Sequence, residues 1–409
     1  MIQEQKNSHY RWYILALAML TYGAIAGAAR LCMPVLFPEI SAELGLSMVA
    51  IGTIWGMDPL AGVFIGLPGG LLVDRLGIKR TLTVVCILAG VFCALRGFAV
   101  DFISMAAFMF MFGLMAAIIP SIVPKVTAVW FSGKHLGLTN GLLNVAWSMG
   151  SVVATLSSAT LFSPLLGGWR HVLFFFGAPP VLLGLLWWFT GREPQKQDTV
   201  YIPSTGGVPF RTALSSVLHV KEIWLLGIIL LTYFGANMGV GGYLPLYLRH
   251  AGWDPVNADW AMTIFSGLGV VGVIPMVLIS DKIGSRKPMM IFTTVVFALC
   301  IGLIPIAGTV GTWILLLICG LIRTAVSALA NTMIFEIKGV GATYGGTAIG
   351  LTNTLGMLGA FAAAPIGNSF SSISNDMPLV FWAALTVLGL PLLLLLKEHK
   401  KRPEVLPVV

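Results

Sequence analysis

The chain is expected to be an all-α membrane protein, with twelve transmembrane helices in two six-helix, pseudo-symmetric bundles. Three observations lead there. Only 10% of its 409 residues are charged and 57% are hydrophobic, against roughly a quarter charged in soluble domains. The apolar residues gather in twelve runs, each close to the ~20 residues that a bilayer-spanning helix needs. The second half of the chain repeats features of the first. The runs are continuously apolar and do not alternate, so they read as helices and not as barrel strands.

In order, the expected spans are 12–38, 48–72, 81–100, 103–129, 137–163 and 171–190, then 222–248, 257–279, 288–307, 311–335, 344–370 and 377–396. Between the two sets lies 191–220, a polar, basic segment containing Pro and Gly. It is expected to link an N-terminal bundle, 1–190, to a C-terminal bundle, 221–409. The first run follows ten mostly polar residues and is too long for the apolar core of a cleavable signal peptide.

Charge placement sets the expected orientation. Of the 24 Lys and Arg, nineteen fall on the side of the termini, three (Arg96, Arg170, Arg249) on the other, and two inside spans. The positive-inside rule then puts both termini in the cytoplasm, with the chain in the plasma (inner) membrane. The net charge of +8 is therefore a membrane-topology signal, and no nucleic-acid partner is expected. Cys32, Cys86, Cys93, Cys300 and Cys319 all sit in apolar runs without metal or redox spacing. The six histidines lie at span ends or in loops, and no P-loop is present. Neither an enzyme nor a cofactor is expected, and the chain reads as a monomer.

The two residues inside spans are Arg30 and Arg323. An arginine at a helix centre costs about 2.5–3.5 kcal/mol on insertion scales and usually faces a protein-lined cavity. A guanidinium in such a cavity suits a planar anion held through two hydrogen bonds. The pattern points to a protein that handles an anion. Asp58, in Trp55-Gly56-Met57-Asp58-Pro59, reads as the only acid deep in a span. It stands either as a structural partner of Arg30 or as a proton site.

The repeat appears in three places. Asp74-Arg75-Leu76-Gly77 is echoed by Asp281-Lys282-Ile283-Gly284, 207 positions on; Gly141, Asn144 and Gly150 by Gly350, Asn353 and Gly359, 209 on; Thr21-Tyr22 and Pro34 by Thr232-Tyr233 and Pro245, 211 on. Parallel six-helix repeats with a site at their interface are a transporter signature.

Gly70-x-x-x-Asp74-Arg75-x-Gly77-x-Lys79-Arg80 resembles the loop signature of the major facilitator superfamily, and the likeness extends over the whole chain. Arg30 through Pro34, followed by Pro38-Glu39-Ile40, resembles its organic-anion and its cyanate/nitrate-type branches. The Gly-Pro motif of the drug/proton antiporters is absent from the fifth span. The resemblance implies a central cavity lined by helices 1, 4, 7 and 10, which would bring Arg30 and Arg323 to it from opposite halves. The expected activity is secondary active transport of a small organic anion, a carboxylate, by alternating access; the alternatives are a carrier of a small inorganic or pseudohalide anion such as cyanate or nitrate, or an anion exchanger, with a non-transporting membrane receptor disfavoured. Candidate substrate contacts are Arg30, Arg323, Tyr233, Asn237, Asn144 and Asn353, and the proton-coupling candidate is Asp58. A cytoplasmic latch is expected from Asp74, Arg75, Gly77, Arg80, Asp281 and Lys282.

Overall fold

The computed structural model describes residues 2–131, 134–192, 210–337 and 339–396, with side chains for all of these but 2–9, 66–75, 134–136, 210–211 and 342–343. Among the described residues there is no strand, and twelve helices are long and apolar enough to cross a membrane. Span 1 runs Tyr10–Leu44 and span 2 Met48–Leu76; span 3 runs Ile78–Phe98, span 4 Phe102–Trp130, span 5 Gly137–Leu166 and span 6 Trp169–Thr190. Span 7 is Lys221–His250, span 8 Pro255–Ile283, span 9 Lys287–Ile306, span 10 Gly308–Glu336, span 11 Tyr344–Ser372 and span 12 Met377–Leu395. Spans 3, 6, 9 and 12 have 19–22 residues, and the other eight have 29–35.

The span ends follow local chemistry. Asp101 starts span 4 by accepting from the Ser104 backbone N–H at 2.8 Å, and Ser104 Oγ in turn accepts from the Asp101 N–H. This reciprocal cap satisfies two orphan donors of the first turn. Gly77 (φ +82°) and Gly284 (φ +70°) are equivalent residues of the repeat and turn the chain out of spans 2 and 8. That left-handed region is costly for any residue with a Cβ. Span 1 runs six residues past its expected end at 38, because Glu39 and Glu43 find partners across the helix interface. Glu39 Oε2 accepts from Ser163 Oγ at 2.5 Å, and Glu43 accepts from Trp169 Nε1 at 2.6 Å and Arg170 Nε at 2.9 Å. The segment expected as a plain linker holds a helix, Phe210–Leu218, with Ala213 and Val217 buried; residues 193–209 lie outside the described part.

Repeated glycines set the packing within each half. A Cβ on Gly150 of span 5 would meet the Gly23 carbonyl oxygen of span 1 at 2.1 Å, and one on Gly359 of span 11 would meet that of Leu231 of span 7 at 2.0 Å. Only glycine lets the backbones approach so closely. Between the halves, the hydrogen bonds gather toward the end opposite the termini. Trp55 Nε1 donates to Met238 O at 3.0 Å, Asn368 Nδ2 donates to Met48 O at 2.8 Å, and the hydroxyls of Thr155 and Thr263 lie 2.8 Å apart.

Candidate substrate cavity

A cavity of about 300 Å³ opens where the halves face one another. Its walls come from spans 1, 2, 5, 7, 8, 10 and 11. Span 4, expected on the wall, contributes none of the lining residues. Span 4 instead packs on span 2, where a Cβ on Gly113 would meet Asp58 Cα at 2.8 Å.

Arg30 and Arg323 both line the cavity, and each sits at an irregularity of its helix. Arg30 follows a π-helical stretch, Gly23–Ala29. Widened turns of this kind are frequent at functional sites. Two side chains from other spans hold its carbonyls: Trp147 Nε1 donates to Ala26 O at 3.1 Å, and Arg96 Nη2 donates to Ala29 O at 2.7 Å. Arg30 Nη2 forms an ion pair with Asp58 Oδ2, and Asp58 is only 3% exposed. Arg323 occupies a break between Gly308–Ile322 and Ala325–Glu336. Its Nη1 donates to Phe265 O at 3.2 Å, and its guanidinium lies 4.8 Å from the Phe265 ring centroid. Beside it, Thr324 Oγ1 donates to Gly269 O at 2.7 Å, where span 8 is broken at Leu268. Broken spans facing a cavity are how membrane proteins build midplane ligand sites.

The remaining walls are mostly apolar, with Trp55, Phe234, Phe265 and three methionines among them. The polar groups are Asn237, Ser266, Thr324 and Ser327. Ser327 Oγ donates to Thr324 O at 2.9 Å within its own helix. With two arginines at the wall and one buried carboxylate behind them, the site carries net positive charge.

Of the expected substrate contacts, Arg30, Arg323 and Asn237 line the cavity, and Tyr233, Asn144 and Asn353 stand off it. Tyr233 is 1% exposed, and its hydroxyl donates to Arg323 O at 3.0 Å, so it supports the arginine from behind. Asn144 is exposed and its Nδ2 donates to Asn140 O one turn back. Asn353 lies one turn before Met357 on span 11, and only the latter reaches the wall.

In the loop repeats, the side chains of Asp74 and Arg75 lie outside the described residues. Arg80 and Lys282 are exposed. Asp281 Oδ1 pairs with Arg286 Nη1 at 2.5 Å, and Arg286 Nη2 lies 3.5 Å from Glu336 Oε1, joining the ends of spans 8 and 10 through span 9.

Arg96, inside the expected third span but counted with the charges on the side opposite the termini, is fully buried, with its guanidinium 4.3 Å from the Phe112 ring centroid, 2.8 Å from Cys93 Sγ and on the Ala29 carbonyl. The signal was its apolar surroundings, Phe92-Cys93-Ala94-Leu95 before it and Phe98-Ala99-Val100 after. Asp58 remains the acid deepest in a span, and a second acid is buried as well: Asp259, near the start of span 8, is 0% exposed.

The family model described as the Major Facilitator Superfamily matches residues 18–364. This chain belongs to that superfamily. Over 198 residues it is 30% identical to the "Probable galactarate/D-glucarate transporter GarP" of Escherichia coli (strain K12), covering 46% of this chain and 43% of that one. The chain thus matches less than half of that relative's length. It is 26% identical to the cis,cis-muconate transport protein of Acinetobacter baylyi, covering 98% of each chain. Among solved structures, an inward-facing bacterial homolog of the human lysosomal transporter Spinster superposes with a TM-score of 0.76 at 16% identity, covering 95% of each chain. The fold is that of a multi-pass membrane protein of this superfamily.

Proposed function

We propose that this chain is a secondary active transporter of a small organic anion, a carboxylate, working by alternating access. The observation that carries this is the placement of Arg30 and Arg323, from opposite halves, on the wall of one cavity. A carboxylate bridging them would draw the halves together, since each guanidinium presents a planar fork to an anion. The apolar and aromatic remainder of the wall favours an anion with a hydrocarbon body over a small inorganic ion, because a small anion leaves such surface uncovered. The relatives named for galactarate/D-glucarate and for cis,cis-muconate transport carry names of organic carboxylates, and muconate, with its unsaturated hydrocarbon body, matches the apolar wall.

The bundles 1–190 and 221–409 are the bodies that rock, joined by 191–220. The loops at Asp74, Arg75, Gly77 and Arg80, and at Asp281 and Lys282, latch the end that holds the termini. That end faces the cytoplasm, in the plasma membrane. Asp58, buried behind Arg30, is the coupling candidate. An arriving anion competes for Arg30, and the released carboxyl then takes up a proton, which gives symport. One chain holds the whole cavity and acts as a monomer, with no cofactor.

Uptake into proteoliposomes tests the reading, with a panel of carboxylates and inorganic anions, with and without a pH gradient. Carboxylate uptake that is lost in Arg323→Ala is expected. Wild-type uptake in both Arg30→Ala and Arg323→Ala would overturn the anion site.

A further inference from the structure

Asp259 is the most shielded carboxylate described in the molecule, and it lies away from the substrate cavity. It sits one turn into span 8, behind Asp254, which caps that helix by accepting from the Val256 N–H at 3.0 Å. Its side chain has 0% exposure. Oδ1 accepts from Arg249 Nη2 of span 7 at 2.9 Å. Oδ2 is buried and has no hydrogen-bond partner among the described residues, and neither has Arg249 Nε. A buried carboxylate normally satisfies both oxygens, because an unpaired one bears its full desolvation cost. This pair is therefore only half made.

The surroundings do not complete it. Arg249 is the cation paired with it, and Asp254, the nearest acid along span 8, is engaged in capping that helix. Span 5 meets this part of span 8 with the neutral Thr155. His250 is exposed and its Nδ1 lies 2.8 Å from Leu246 O. Arg323 lies farther in, against Phe265.

The position gives the half-made pair a use. One turn on from Asp259, the Thr263 hydroxyl is 2.8 Å from Asp259 O and 2.8 Å from the Thr155 hydroxyl of the other half. Asp259 is thus buried at the end where the halves meet. We propose that Asp259 is a proton-binding site at this end, charged and hydrated when the halves part there and protonated on Oδ2 when they close. Closure removes its water and offers Oδ2 no donor, so a proton lowers the cost of burial. Arg249, 19% exposed, keeps contact with solvent beside the neutral carboxyl. Acid on that side then favours the closed end. The closing motion is taken from the alternating-access reading, but the proton site is observable without any substrate.

Infrared difference spectroscopy between acidic and alkaline pH, on the purified protein in lipid nanodiscs, tests this. The expected result is a protonated-carboxyl C=O band at acidic pH that is absent in Asp259→Asn and present in Asp58→Asn. In Arg249→Gln the ionised form loses its cation, so the band should persist roughly one to three pH units higher. That shift decides the matter if Asp259→Asn does not fold. A band untouched by Asp259→Asn and Arg249→Gln, or one abolished by Asp58→Asn, overturns the proposal. If the band behaves as expected while no anion enters proteoliposomes, the transport reading fails and the proton site stands.

Discussion

The two cavity arginines are held in opposite ways. Arg30 stands behind a π-helical stretch and is neutralised by Asp58. Arg323 stands on a break in span 10 and rests on the ring and carbonyl of Phe265, with no carboxylate beside it among the described residues. The N-terminal half therefore brings a compensated charge to the cavity, and the C-terminal half brings an uncompensated one. Folding should depend more on the first arginine and anion affinity more on the second.

The largest effect that would break this comparison is on stability. Arg30→Ala leaves Asp58 buried without its cation, which costs about 3–5 kcal/mol for a buried pair broken on one side. Thermal unfolding in detergent should show a lowered midpoint, and Arg30→Ala combined with Asp58→Asn should recover most of it. A single variant as stable as the parent would mean that Asp58 is not held by Arg30. Next comes affinity. Arg323→Lys keeps the charge and loses the planar fork, so the half-saturating carboxylate concentration should rise about 10- to 100-fold with stability little changed. An equal rise in Arg30→Lys would erase the distinction between the halves. The smallest effect sharpens it: Tyr233→Phe removes the hydroxyl donating to Arg323 O, worth about 1 kcal/mol. A several-fold loss of affinity is expected, and none if Arg323 acts alone.

Much of the fold was legible because hydropathy and repetition are strong signals. The twelve runs and the repeat that pairs Gly77 with Gly284 and Gly150 with Gly359 could be read from residue type and spacing, while the turns and backbone contacts those glycines make came from the fold. The two arginines were legible because charge inside an apolar run is expensive. Arg96 and Asp259 were not, because both lie near span ends, where a charge normally reaches water. Their burial depends on what neighbouring helices bring: the Ala29 carbonyl and the Phe112 ring to Arg96, Arg249 to Asp259. Tyr233 shows the converse. Its hydroxyl made it a candidate cavity contact, and only the packing of span 10 reveals that this hydroxyl points to a backbone carbonyl. Pattern gives the helix, but not the rotation of a side chain toward or away from a wall.

Span length carries a consequence for the surrounding lipid. Spans 3, 6, 9 and 12, of 19–22 residues, rise about 30 Å at ~1.5 Å per residue, close to the hydrocarbon thickness of a bilayer. The other eight, of 29–35 residues, exceed it by roughly 15 Å and must tilt or project. No residue on the cavity wall comes from the four short spans. A thicker membrane would strain those four first and could be met by the long helices standing more upright. Bilayer thickness thereby acts on the tilt of the very helices that carry Arg30 and Arg323.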